Sequence, residues 1–384
     1  MLRKIATLIL MLLLFTCLGA SLRSKMQELS IALKDLLILS QNAAEWSSPE
    51  RSASILRNLN TMKTLIHTIQ VKSIRDLNGD PSLTILMPSL SSEIKMTLSA
   101  FELGQYEFSR QSIRNLTGTC FACHSKEPEF NSFLNQTLDA TPYVMSELEK
   151  ARFYVSIRNI ERALEIYEKC ILDPVLAQKN FDTWNRAFRE GLILLIRTKR
   201  DPSASLKLIE GTLKLKGMPY FMISEIKEWS AQIKDWAKEK RKPESLSEKS
   251  LYQKVRAIMN RAQALKKYPM DHSADPLMLR ASSLLYEGVR RFPNGAHLGE
   301  FYYWLGITQI TLADAPLETL HEAFFEACIR KSPHTPLSLN CYGELEKSVY
   351  FGFTGSSGTH IPVEATNKLL ELWGKAFVPE AIRP

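Results

Sequence analysis

Glycine is scarce in this chain of 384 residues and proline is at an ordinary level, at 16 and 18, which excludes a glycine- and proline-rich disordered polymer and leans the chain toward helix. Basic residues outnumber acidic ones by a formal net charge of +8, yet no long basic stripe with interleaved aromatics is present, so nucleic acid is not an expected partner. The densest run, Lys238 to Lys249, carries its own acids and a proline and reads as a solvated helix end and linker. The glycine-rich stretch Gly352 to Pro362 lacks the Gly-Lys-Ser/Thr of a phosphate loop and reads as a connection. No Ser-His-Asp set or carboxylate pair can be assembled from the scattered histidines and acids, so a catalyst is not the expected class.

What is present is an ordinary globular composition, 45% hydrophobic and 23% charged, at a length that suits two or three domains. Residues 1–20 read as a secretory signal peptide, with Arg3 and Lys4 as the basic head, Ile5 to Phe15 as the apolar run and Leu18-Gly19-Ala20 as the small-residue end. Cleavage after Ala20 and export to a periplasm are expected. An uncleaved anchor, or lipidation at Cys17, stands as the alternative that would tie the protein to a membrane.

Four helical patterns follow between residue 21 and residue 130. Met26, Leu29, Leu33 and Leu36 share one face of the first; Ile55, Leu59, Met62, Ile66 and Ile69 share one face of the second, which opens on a serine cap with Pro49 in its first turn. The third carries Leu90, Ile94, Leu98 and Phe101, and after a turn at Gly104 the fourth carries Ile113, Leu116, Cys120 and Cys123. Four such helices with short connections predict an up-down-up-down bundle.

Near its end, before Lys126-Glu127-Pro128 stops it, the fourth helix carries Cys120-Phe121-Ala122-Cys123-His124. At about 100° per residue the two cysteines and the histidine share one arc of a helix. C-x-x-C-H is the spacing of c-type haem attachment, with Cys120 and Cys123 as the thioether positions and His124 as the proximal ligand of the iron. A redox-active C-x-x-C calls for a preceding strand and a zinc site for a second ligand pair, and the sequence offers neither.

Helix, helix, helix and then C-x-x-C-H near the end of a fourth resembles the class II c-type cytochromes, the cytochrome c-prime family. The opening Ser24 to Leu37 is also similar to the first helix of the soluble four-helix-bundle b-type cytochrome, whose methionine there binds the iron. The resemblance covers residues 21 to about 128. In an antiparallel arrangement the start of the first helix lies beside the end of the fourth, which makes Met26 the candidate for the sixth ligand; core packing is its other reading. Met62 and Met96 lie farther along the axis, and His67 lies off the apolar face. Without Met26 the iron would be five-coordinate and open to small gases.

From 131 to 384 the pattern changes to helical hairpins. Ala151 to Pro174 resembles the tetratricopeptide pattern, ending on Asp173-Pro174, with looser echoes that include Asp201-Pro202 and a period near forty residues. The expected fold is therefore all-α, a four-helix-bundle cytochrome domain followed by an α-solenoid of tetratricopeptide-like hairpins. Such an array offers a surface for a protein redox partner. Tyr302, Tyr303 and Trp304 are expected in its core, Cys170 as a buried small hydrophobe, and Cys328 and Cys341, on either side of a Ser-Pro turn, as a candidate disulfide. The function expected is one-electron transfer through one covalent haem c, the alternatives being a haem-based gas or redox sensor and a scaffold with a structural haem.

Overall fold

The computed structural model describes residues 24–75, 81–126, 145–239, 245–268, 271–312 and 320–377. The expected export signal with Cys17, most of the break at 76–82, Glu127 and Pro128, the stretch 134–144 and the middle of the 238–249 run lie outside the described residues. Within them the protein is all-helical. The strands among the described residues are Thr354–Gly355 and Gly358–Thr359, a two-stranded antiparallel hairpin that pairs Thr354 with Thr359 inside the glycine-rich connection. Among the described residues no helix is long and apolar enough to cross a membrane.

The chain divides into two compact units. The first comprises residues up to Asp76, Met87–His124 and Glu129–Tyr167; the second comprises Leu77–Leu86, Ser125–Pro128 and Glu168 onward.

In the first unit α1 spans 24–39 and buries Leu29, Leu33, Leu36 and Leu37. A short helix that the periodicity does not announce, α2 (Ala43–Trp46), follows, capped by the Asn42 side chain, which accepts from the Ala44 and Glu45 amides. Its one apolar anchor is Trp46, fully buried, with the indole Nε1 donating to Ser109 Oγ at 2.9 Å and the ring edge-on to Phe101. Helix α3 (Pro49–Arg75) starts on Pro49, where a missing N–H costs nothing, and the Ser48 hydroxyl accepts from the Arg51 amide. Its expected face, Ile55, Leu59, Met62, Ile66 and Ile69, is buried throughout. Helix α4 (Leu83–Glu102) buries Ile94, Leu98 and Phe101 and leaves Leu90 half-buried. It ends in a Schellman turn, with Gln105 N–H on the Ala100 carbonyl and Gly104 N–H on that of Phe101, and Gly104 takes the left-handed conformation that this turn requires, at φ +73°. Helices α5 (Tyr106–His124) and α6 (Glu147–Ser156) then pack on one another, and α7 (Ile160–Ile171) begins in this unit.

The second unit runs through α8 (Pro174–Lys179), α9 (Phe181–Ile193), a π-turn at Leu194–Thr198, α10 (Pro202–Thr212), α11 (Tyr220–Ala237), α12 (Glu248–Leu265), α13 (Asp275–Arg291), α14 (Leu298–Thr311), α15 (Leu320–Lys331), α16 (Pro336–Gly352) and α17 (Val363–Ala376). The start signal recurs: Asp173, Asp201 and Thr335 each cap a helix whose first residue is proline. From α12 to α16 each helix packs on the next, and α11 also meets α13, α14 meets α16 and α15 meets α17. Small residues allow the close approach: a Cβ on Gly288 of α13 would come within 2.7 Å of the Phe301 ring on α14. Tyr302 is buried, whereas Tyr303 and Trp304 are half-buried; Cys170 on α7 is buried.

A disulfide joins Cys328 on α15 to Cys341 on α16, with the Cα atoms 6.3 Å apart. It closes a loop across 13 positions, for which the loss of unfolded-chain entropy is about 3 kcal/mol. Cys328→Ser combined with Cys341→Ser is therefore expected to lower unfolding stability by about 2–3 kcal/mol, measured by urea denaturation of oxidised wild type against the double variant. Equal midpoints would mean that the crosslink constrains nothing.

Candidate functional site

Helix α5 delivers the C-x-x-C-H residues on its last turn. Ile113, Leu116, Thr117 and Phe121 are buried along it, which fixes its rotation about its own axis. Cys120, Cys123 and His124 are then all half-buried. Cys120 and His124 are four apart, so they stack on one face. Cys120 and Cys123 do not pair with each other in a disulfide.

His124 has its Nδ1 3.3 Å from the carbonyl oxygen of Val155, at the end of α6. A carbonyl can only accept, so Nδ1 carries the hydrogen and the lone pair of a neutral ring resides on Nε2. The ring is held neutral: burial depresses its pKa to about 4, the Arg158 charge pushes the same way, and the carbonyls of Val155 and Ser156 oppose both. The Val155 carbonyl is itself fixed by a second Schellman turn. It accepts from the Arg158 amide at 2.9 Å while the Asn159 amide reaches the Tyr154 carbonyl, and Arg158 takes the left-handed conformation, φ 59°, without being glycine. A salt bridge of 2.5 Å from Arg114 to Glu149 ties α6 to α5.

Cys120 has a different environment from a redox thiol. Burial, with Cys123 and Glu93 adding negative charge nearby, pushes the Cys120 thiol up to about 12. A thiol-exchange cysteine needs the opposite shift, because the thiolate is the nucleophile. Glu93 on α4 is raised by burial as well, against the Thr119 hydroxyl, which donates to its Oε2 at 3.3 Å. Among the described residues no group of three or more His, Cys, Asp or Glu side chains is placed to hold a bare metal ion.

Of the other candidates, Met26 is half-buried in the first turn of α1, Met62 is in the core, and Met96 and His67 are exposed. Ser125, the residue after His124, belongs to the second unit and is gripped there from the π-turn. The Arg197 guanidinium donates to its carbonyl at 3.0 Å and its hydroxyl at 2.6 Å, and the Thr198 hydroxyl donates to the same carbonyl at 2.8 Å. Neither Val155 nor Arg197 carries any local signal in the sequence; each acts through a long-range contact. Comparison with protein-family models, curated proteins and solved structures finds no match for this chain.

The His124 shift has a pH consequence with a definite sign. A histidine whose folded pKa lies below its unfolded value binds fewer protons folded than unfolded between the two, so stability rises with pH across that window. For the haem-free chain, His124→Gln is expected to flatten the stability profile between about pH 4 and 6.5, with the wild type losing stability as pH falls through that range and levelling below it. Denaturant midpoints at half-unit pH steps for both proteins provide the measurement. Parallel profiles would mean that His124 is solvated.

Proposed function

We propose that this protein is an exported monohaem c-type cytochrome that passes single electrons to or from a protein partner in the periplasm. The observation that carries the reading is the state of His124. It closes a C-x-x-C-H sequence, is held neutral, and keeps Nδ1–H on the Val155 carbonyl so that the lone pair of the neutral ring is on Nε2. The donor set fits covalent haem: Cys120 and Cys123 would hold the vinyl-derived arms and His124 the iron. Bound haem supplies the reversible one-electron couple.

The chain's own residues do the rest. The Val155 carbonyl orients the imidazole and raises its basicity as a ligand. The buried faces of α1, α3, α4 and α5 support the reading of a four-helix bundle, which would exclude water around the group. Support for Met26 as the sixth ligand comes from the other end of these helices, where Arg110 Nη1 donates to the Ser40 carbonyl at 2.7 Å. Met26 lies fourteen positions before Ser40 and His124 fourteen positions after Arg110. In an antiparallel pair joined at that point, both reach the same level, about 21 Å along the axis. A neutral His-Met pair favours the ferrous state over bis-histidine ligation.

The run of neighbour-on-neighbour helices with recurring Asp-Pro starts supports an α-solenoid akin to tetratricopeptide arrays, and we assign it the docking of the redox partner. The test is an absorption spectrum of protein matured where haem is attached. Haem is expected to survive denaturation on the wild-type chain and to be lost from Cys120→Ser, Cys123→Ser. The low-spin spectrum is expected to turn high-spin in Met26→Ala. A high-spin wild type that binds carbon monoxide would move the function to gas sensing, and absence of covalent haem would overturn the cytochrome reading.

A further inference from the structure

Helix α17 carries two apolar faces, and packing within the chain uses one of them. Leu369, Leu372 and Ala376 are buried where α17 packs on α15 and α16. Val363, Leu370, Trp373 and Phe377 are exposed, by 69%, 64%, 43% and 40%. At about 100° per residue these four share an arc of about 80°, centred about 110° round the helix from the buried three. The charges of α17 occupy a third face, where Lys368 pairs with Glu326 at 2.5 Å and Glu371 with Arg330 at 2.9 Å, both partners on α15. Ring contacts make the stripe continuous: Trp373 lies 5.7 Å from Phe377 and 5.1 Å from Tyr342 of α16.

The four side chains present about 400 Å² of apolar surface, close to the apolar share, about 500 Å², of the 800 Å² or so that each side of a stable interface buries. The chemistry of the stripe selects its occupant. It holds no charged residue, and neither does the connection leading into it, residues 348–363; a partner recognised by charge finds no complement there. An uncharged surface is what a second copy requires, because in a two-fold contact a residue on the axis meets itself and a charge would meet its like. The sizes agree. Antiparallel α17 helices crossing at Leu370 set Val363 against Phe377 of the second copy and Gly374 against its Thr366. A Cβ on Gly374 would meet nothing within 4 Å, so nothing inside the chain calls for glycine at that position, although glycine weakens a helix.

We infer that the protein forms a two-fold dimer through the exposed face of α17, with Leu370 on the axis and Val363, Trp373 and Phe377 around it. Pairing with a second copy removes the stripe from water on both chains at once. The assignment rests on neither haem nor export, and it leaves the rest of the helical array to a redox partner.

The test is sedimentation equilibrium of the full chain between about 1 and 100 µM, where mass action separates a dimer from a monomer. Leu370→Glu and Phe351→Ser are run alongside; Phe351, 86% exposed at the end of α16, lies outside the stripe. Wild type and Phe351→Ser are expected to be dimers. Leu370→Glu is expected to associate about a hundredfold more weakly, since two carboxylates would be buried against each other on the axis, while its helical circular dichroism matches wild type. Leu370→Cys gives a second readout: on mild oxidation it is expected to crosslink to its counterpart in the other copy, and Phe351→Cys is not. A wild type that stays monomeric overturns the inference, as does a dimer that Leu370→Glu leaves intact. A monomer that sediments with vesicles of phosphatidylethanolamine and phosphatidylglycerol, and loses them in Leu370→Glu, would assign the stripe to a lipid surface. One that dimerises only when residues 378–384 are deleted would assign it to the chain's own tail. Either outcome overturns the dimer.

Discussion

The carbonyl of Val155 accepts the Nδ1 hydrogen of His124 and the Arg158 amide together, and the chemistry proposed for α5 depends on it. Two independent devices hold it in position. At the start of α6 the Ser146 and Glu149 side chains form a reciprocal capping box, and Glu149 also pairs with Arg114 of α5. Burial pushes the Glu149 carboxyl up, but the Arg114 and Ser146 hydrogen bonds outweigh it and keep the group charged. At the end of α6 the left-handed Arg158 stores strain of about 1–2 kcal/mol, retained because the turn it makes aims two carbonyls at neighbouring groups. Strain of this kind collects where geometry matters more than stability.

A second constraint acts one residue further on. Arg197 is only 7% exposed and would be an expensive charge to bury without partners. Its hydrogen bonds to Ser125, with Thr198 on the same carbonyl, use the wider register of the π-turn at Leu194–Thr198 to bring two consecutive side chains onto one acceptor. In the proposed cytochrome the attachment histidine is fixed within its own unit by the Val155 carbonyl. Such a hold suits a redox carrier, whose ligand geometry should change little between oxidation states.

Much of the first unit is legible in the sequence because apolar spacing reports burial directly. The five-residue face of α3 and the Leu29, Leu33, Leu36 stripe of α1 are buried as the 3.6-residue period requires, and Gly104 marks a stop that only a residue tolerant of positive φ makes cheaply. Helix α2 is not legible, because four residues contain no period; its existence rests on one tryptophan and one asparagine cap. The aromatic triplet 302–304 shows the limit of composition: three large rings in a row cannot share a helix face, and Tyr302 alone is buried. A partly buried charge network is harder still to read, since nothing in the local sequence around Asp275 announces that Arg189, itself paired with Glu225, meets it there.

The sequence by itself determined that the chain is helical, where a few of its helices start or stop, and that two cysteines and a histidine share one turn. These follow from local sterics, from caps and from a period, all of which act within a few residues. Only the tertiary structure decided which nitrogen of His124 carries the proton, which carbonyl holds it, and which carboxylates pair with Arg189. Those properties arise from desolvation and from hydrogen bonds between groups as far apart in the chain as Arg189 and Asp275, 86 positions, and such pairings come into being only when the helices pack.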